Sequence, residues 1–421
     1  MTRINWHVCI LGIGETELNP QEQACLIYEI LRFAKGYIVS FYYGGGIVTI
    51  GGLYLLFDIN PKENRRDLFD RERELSKTYE ALKLGERFII IYGVRRIGKT
   101  SLLKVALNDS IYPFVIVDVR AIYYSENIVS APVLVRYLLE GFKSHMRVYE
   151  RVKFDLKEAL KRIHKIRIGE FEIEIEPGAR VPLTSVLSCI NEWCRDHGMR
   201  FVFVFDEAQY LRFSNVRYDG VFAWAIDNLG NLTFILTGSE VGILRDFLRI
   251  EDAESPLFGR YRREIYVDRF SRDASISFLV QGFRELNIEP SMDEIEEIVN
   301  TFNGLVGWLT MYGYYRALRK LSHEEAKRKV FEEGSKLVLG ELEKVIYPSR
   351  KRYVAILKAV ASGLHRWSSI KAYLEAKAGP ITDRSFTSLL KNLVRYGYLE
   401  KTNGEYRILD PMVEYMVKKL L

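Results

Sequence analysis

Residues Gly93-Val94-Arg95-Arg96-Ile97-Gly98-Lys99-Thr100-Ser101 follow directly on the apolar run Phe88-Ile89-Ile90-Ile91-Tyr92. This spacing, G-x-x-x-x-G-K-[ST] after a strand and before a helix, is that of a loop that wraps phosphate. Gly93 and Gly98 let the backbone close in so that the amides of Val94, Arg95, Arg96 and Ile97 can surround an anion. Lys99 reaches the outer phosphates, and Thr100 offers a hydroxyl to Mg²⁺. The helix that Thr100-Ser101-Leu102-Leu103 begins has its positive dipole end at the same point. The expected ligand is therefore ATP with Mg²⁺, and ADP after turnover.

A second apolar run, Phe201-Val202-Phe203-Val204-Phe205, ends in Asp206-Glu207. At the carboxyl end of a buried parallel strand, Asp206 is placed to hold the metal, and Glu207 to deprotonate a water for attack on the γ-phosphate. A third run, Leu232-Thr233-Phe234-Ile235-Leu236, ends in Thr237-Gly238-Ser239. Two readings stand for those hydroxyls. They sense the γ-phosphate from between the other two strands, or they cap the helix of Glu240 to Leu244.

The chain has 421 residues, 48% of them hydrophobic, enough for two or three cores. Its four cysteines, Cys9, Cys25, Cys189 and Cys194, show no zinc or disulfide spacing, which fits a reducing cytoplasm. The formal charge is +6, yet residues 350–421 alone carry 14 Lys and Arg against 6 Asp and Glu. The basic excess belongs to the C-terminal end and points to a polyanion-facing module there.

Residues 1–54 are unexplained. Gly36 to Phe57 is uncharged and long enough to span a bilayer as a helix, but its glycines and tyrosines argue against that. The preferred expectation is a translation start assigned too early, with the true start at Leu55 or Leu56. Phe114 to Val119 reads as the second buried strand, followed by helices near 131–146 and 150–164. Ile166 to Glu176 alternates at period two, as a hairpin inserted in the core would. Beyond Asp268 the pattern turns helical, with an acidic-fronted helix at Asp293 to Val299.

Helices at Tyr353 to Gly363, Ser368 to Leu374 and Asp383 to Tyr396, then two short strands around Asn403-Gly404, make a winged helix. In its third helix Phe386, Leu389, Leu390, Leu393 and Val394 share an apolar face, while Arg384, Ser388, Lys391 and Arg395 fall on another. One reading sets that polar face in the major groove of double-stranded DNA, with Lys401 and Arg407 of the wing on phosphates. The other makes the module a surface for a protein partner, a second copy of this chain or its own packing.

Leu56-Phe57-Asp58-Ile59-Asn60-Pro61-Lys62, Asp67 to Leu75, the phosphate loop, Phe205 to Leu211, Thr237 to Gly242 and Ser255 to Arg260, in that order, resemble the archaeal ATPase family. That family lies in the STAND branch of the AAA+ superfamily, distantly related to origin-recognition proteins. The resemblance implies an α/β fold: an AAA+-like P-loop core with a parallel sheet over 55–268, a helical lid over 269–347 and a C-terminal winged helix over 348–421. It further implies that Arg71 lies near the adenine and that Arg260 is a γ-phosphate arginine. The chain departs from the family pattern at the lid, where Val306 stands in Asn303-Gly304-Leu305-Val306-Gly307 in place of a proline.

Overall fold

Every residue of the strand before the phosphate loop is buried, because that strand is central in a parallel sheet covered on both faces. The computed structural model describes residues 38–43, 46–51, 55–145, 166–168, 173–175 and 182–419. The helix read over 150–164 lies outside them, as do Cys9 and Cys25. At the N-terminal side, β1 (Ile38–Tyr43) and β2 (Gly46–Gly51) pair antiparallel. The uncharged stretch is thus a hairpin there and not a spanning helix. No helix among the described residues is long and apolar enough to cross a membrane.

The core then runs α1 (Glu72–Leu84), β3 (Phe88–Tyr92), α2 (Lys99–Asn108), β4 (Phe114–Asp118), α3 (Val119–Glu126) and α4 (Ala131–His145). The period-two segment is an antiparallel hairpin of β5 (Ile166–Ile168) and β6 (Ile173–Ile175). After it come α5 (Leu183–Asp196), β7 (Phe201–Asp206), α6 (Tyr218–Asn228), β8 (Leu232–Gly238), α7 (Val241–Leu248) and β9 (Arg263–Tyr266).

The sheet has the order β4-β7-β8-β3-β9, with all neighbours parallel. Its strands obey their period of two. Ile89, Ile91, Val202, Val204 and Ile235 join one core, and Phe88, Ile90, Phe201, Phe203, Phe205 and Phe234 the other. Emptying one such site, as Phe203→Ala would, costs about 3–5 kcal/mol. The reading of β4 as a second buried strand holds for only part of it. It is an edge strand whose burial alternates, and Asp118 is exposed. The other edge, β9, escaped the sequence reading because only Ile265 of its four residues is buried.

Four helices follow: α8 (Arg272–Glu285), α9 (Met292–Phe302), α10 (Val306–Gly313) and the long α11 (His323–Ile346). Serine caps start three of them. Ser271 and Ser291 each accept a backbone N–H, and Ser322 forms a reciprocal capping box with Glu325. The winged helix consists of α12 (Arg350–Ala361), α13 (Trp367–Ala378), α14 (Asp383–Arg395), β10 (Leu399–Thr402) and β11 (Glu405–Ile408). Asn403 and Gly404 both take positive φ in the hairpin turn between the last two, the conformation such a two-residue loop demands. A closing helix, α15 (Pro411–Lys419), buries Met412, Val413, Met416 and Val417. It packs back on α11 and α12 and so ties the winged helix to the lid.

Candidate functional site

Because β8 lies between β7 and β3, the carboxyl ends of all three strands meet at one edge, where ligands bind in open α/β sheets. The phosphate loop leaves β3 there. Gly98 has φ +94°, which a side chain would strain, and a Cβ on Gly93 would fall 2.8 Å from the Val267 carbonyl oxygen. Both glycines of the motif are thus required by geometry. Gly98 is the N-cap of α2 and, having no side chain, offers the first-turn amides no capping acceptor. Lys99 is buried and donates to the carbonyl oxygens of Gly93 and Val94 at 2.8 and 2.9 Å. Burial lowers its pKa, and the charges of Glu207 and Asp206 oppose that shift.

Thr100 Oγ1 donates to Asp206 Oδ2 at 3.1 Å. The hydroxyl of Thr237 donates to the other oxygen of the same carboxylate, and the Glu207 amide donates to Thr237 Oγ1 at 3.3 Å. Burial raises the pKa of Asp206, against the pull of those two hydroxyls. Two hard oxygens from Thr100 and Asp206, side by side at the loop, are the donor set Mg²⁺ prefers. Glu207 itself sits in the left-handed region at φ 53°. Its Oε2 accepts from Ser239 Oγ at 2.7 Å and from the Ser239 amide at 3.3 Å. Burial alone would raise the Glu207 pKa, but Lys99, Ser239, Arg120 and Gln209 outweigh it, and the carboxyl is held low.

The hydroxyls that end β8 are therefore spent on the two carboxylates. The capping alternative fails, since the N-cap of α7 is Glu240 and it makes no side-chain capping bond. Arg71 is buried, donates to the Ile97 carbonyl at 3.1 Å and lies 4.5 Å from the centre of the Phe270 ring. It thus braces the loop from behind. Ser101 accepts the backbone N–H of Lys62 at 3.0 Å and ties down the segment before α1.

Arg260 is not brought to the loop. It precedes β9, whose Arg263 pairs with Ile89 near the start of β3, so it lies at the amino ends of the strands. There it is held by Asp227 at 2.6 Å. Register explains the correction: a parallel strand entering from that end cannot place its preceding loop at the carboxyl edge.

The two arginines inside the loop reach across to the lid and the winged helix, largely buried, and carry contacts that the sequence did not disclose. Arg95 Nη2 meets Glu240 Oε1 at 2.6 Å, its Nε meets Glu341 of α11 at 3.4 Å, and its Nη1 donates to the Tyr396 carbonyl at 3.5 Å. The other oxygen of Glu240 holds Arg212 at 3.2 Å, and that guanidinium lies 5.8 Å from the Tyr396 ring. Arg96, at φ 62°, pairs with Glu341 at 3.1 Å and covers Trp308 at 4.5 Å. Its carbonyl accepts the Gly307 amide at 2.9 Å, and Val306 sits against Gly98. The lid segment thus rests on the loop despite lacking a proline.

Of the residues read as facing DNA, Arg384, Ser388, Lys391, Lys401 and Arg407 are exposed on the winged helix. Arg395 is also exposed, but its guanidinium and backbone are engaged. It pairs with Asp246 of α7, and its backbone lies against Gly242 so closely that a Cβ there would be 2.7 Å from Arg395 Cα. Helical spacing placed Arg395 on the polar face correctly, but the end of α14 is docked on the ATPase core.

A model of an ATPase domain found predominantly in Archaea matches residues 68–312. The C-terminal winged helix-turn-helix domain of MCM proteins matches residues 348–409. Among solved structures, a Walker-type ATPase of Pyrococcus abyssi is 36% identical, covering 86% of this chain and 100% of its own, with a TM-score of 0.73. The ORC2 protein of Aeropyrum pernix, solved in ADPNP-ADP complexes, shares the fold at 16% identity over 86% of this chain and 95% of its own, with a TM-score of 0.56. No curated protein matches the chain.

Proposed function

Since this chain belongs to the family of ATPase domains found predominantly in Archaea, we propose that it is an ATP-hydrolysing switch whose nucleotide state sets the position of its winged helix. Lys99 neutralises the outer phosphates; Thr100 and Asp206 would hold Mg²⁺, which would screen phosphate charge. Glu207 takes a proton from a water whose oxygen attacks the γ-phosphorus as the bond to the β-phosphate oxygen breaks, leaving ADP and phosphate. Thr237 fixes Asp206 and Ser239 fixes Glu207. Arg260 has no part in this chain's own site.

The observation that carries the coupling is Arg95. One guanidinium inside the phosphate loop touches the segment after β8, the lid helix and the winged helix at once. Phosphate entering the loop places negative charge beside that cation and competes with Glu240 and Glu341 for it. The winged helix is the proposed output, with double-stranded DNA as its ligand. Arg384, Ser388 and Lys391 are the groove-facing residues, and Lys401 and Arg407 the wing contacts. The test is ATP turnover with and without duplex DNA, alongside fluorescence anisotropy of a labelled duplex in ATP and in ADP. Lys391→Glu with Arg384→Glu should weaken binding, and wild-type affinity should fall steeply with salt.

A second reading is favoured by the Arg395–Asp246 contact, which shows α14 already serving a protein surface. In it the chain is a signalling scaffold with slow turnover whose winged helix binds protein. Failure of the wild type to bind duplex at low salt in either nucleotide would select it.

A further inference from the structure

One buried polar side chain beside the site has no role in the mechanism above. Gln209 stands two residues beyond Glu207 on the tight turn Ala208–Phe213 and is fully buried. Its Nε2 donates to Glu207 Oε2 at 2.5 Å and lies 3.5 Å from Ser239 Oγ. With the hydroxyl and amide of Ser239, this brings three donors onto one carboxylate oxygen. The orientation of the amide follows from charge, since its carbonyl oxygen against the carboxylate would be repulsive. Glu207 Oε1 receives none of these three donors.

The backbone points the same way. A left-handed φ at a glutamate is uncommon and persists where the surroundings over-determine it. Here the turn that carries Gln209 begins at Glu207, so the strained residue and its donor are set by one piece of chain.

We propose that Gln209, together with Ser239, is the positioning residue for the base: it pins Oε2 of Glu207 so that Oε1 alone is presented to the attacking water. This rests on the hydrolytic reading of the site. Gln209 touches neither the loop nor the reacting atoms in the proposed mechanism and acts only through Glu207. A carboxylate left to rotate would still be present but would offer the water a range of directions, and a small loss of alignment is costly in rate.

The experiment measures single-turnover ATP hydrolysis and ATP-analogue affinity for wild type, Gln209→Leu, Gln209→Met, Glu207→Gln and the double variants with Glu207→Gln. Met keeps length and flexibility, so it serves if Leu disturbs the turn. The expected result is a rate lower by on the order of tenfold or more with affinity unchanged within about twofold, and no further loss on the Glu207→Gln background. Normal turnover in both Gln209 variants overturns the proposal. So does a loss that multiplies with Glu207→Gln, or one matched by lost affinity. Absence of hydrolysis in the wild type is a different failure, and it removes the enzymatic reading itself.

Discussion

Arg95 Nη2 lies 2.6 Å from Oε1 of Glu240, and Glu240 is almost wholly buried, its side chain 3% exposed. The second oxygen of that carboxylate holds Arg212. One anion therefore supports two cations that both approach Tyr396 of the winged helix. Loss of one partner from a buried pair leaves the other desolvated and uncompensated. Glu240→Gln should lower stability by about 3 kcal/mol. Glu341→Gln, at a more exposed position, should cost below about 1 kcal/mol. Urea unfolding followed by circular dichroism checks the contrast, and equal midpoints for the two variants would contradict it.

Gly242 permits the close approach of α14 to α7. Alanine there improves the helix by about 0.5–1 kcal/mol in isolation, yet its methyl would collide with the backbone of Arg395. Gly242→Ala should therefore keep the nucleotide core folded while freeing the winged helix. Limited proteolysis should then cut faster after residue 347, and an unchanged cleavage pattern would show that the contact does not hold the module.

Lys99→Ala should abolish most affinity for an ATP analogue, because the loop is built around that ammonium group. Glu207→Gln should retain affinity and lose hydrolysis by about a hundredfold or more. Titration calorimetry and phosphate release separate the two. Persisting turnover in Glu207→Gln would leave Asp206 without a neighbouring base.

The loop and the strand end that carries Asp206 were legible in the sequence, because the glycine pattern is contiguous and Asp206-Glu207 directly follows an apolar run. Gly93 to Thr100 and Asp206-Glu207 carry their own context. The winged helix was legible too, from a capped amphipathic helix and an Asn-Gly turn. Pairings between distant segments were not. Arg95 and Glu240 are 145 positions apart, and Arg95 and Tyr396 are 301 apart. No periodicity announces which cation meets which anion across such separations. Arg260 failed for the related reason that register, not composition, decides which edge of a sheet a loop reaches. Gln209 is a different case: it stands two residues from Glu207 and was in view in Asp206-Glu207-Ala208-Gln209, but nothing in the sequence says that the turn Ala208–Phe213 folds its amide back onto that carboxylate.

Asp67 offers a check on electrostatics away from the site. Burial raises its pKa to about 6, against the pull of nearby Lys62. The folded state therefore keeps a proton that the unfolded chain releases near its ordinary value of 3.8. Its contribution is present below that value and is lost as pH rises through about 6. Asp67→Asn should accordingly raise the melting temperature at pH 8 and leave it nearly unchanged at pH 3.5. A gain at the acid end instead would mean that folding lowers the Asp67 pKa and does not raise it.

If nucleotide in the loop repositions the winged helix, hydrogen exchange on the full chain will register it. Glu207→Gln protein would be compared with saturating ATP and Mg²⁺, with ADP and without nucleotide. Protection of residues 241–248 and of Arg395 to Tyr398 should differ between the ATP and ADP states. Lys99→Ala should erase the difference. Identical exchange at both segments in all three conditions, with nucleotide binding verified, would contradict that repositioning.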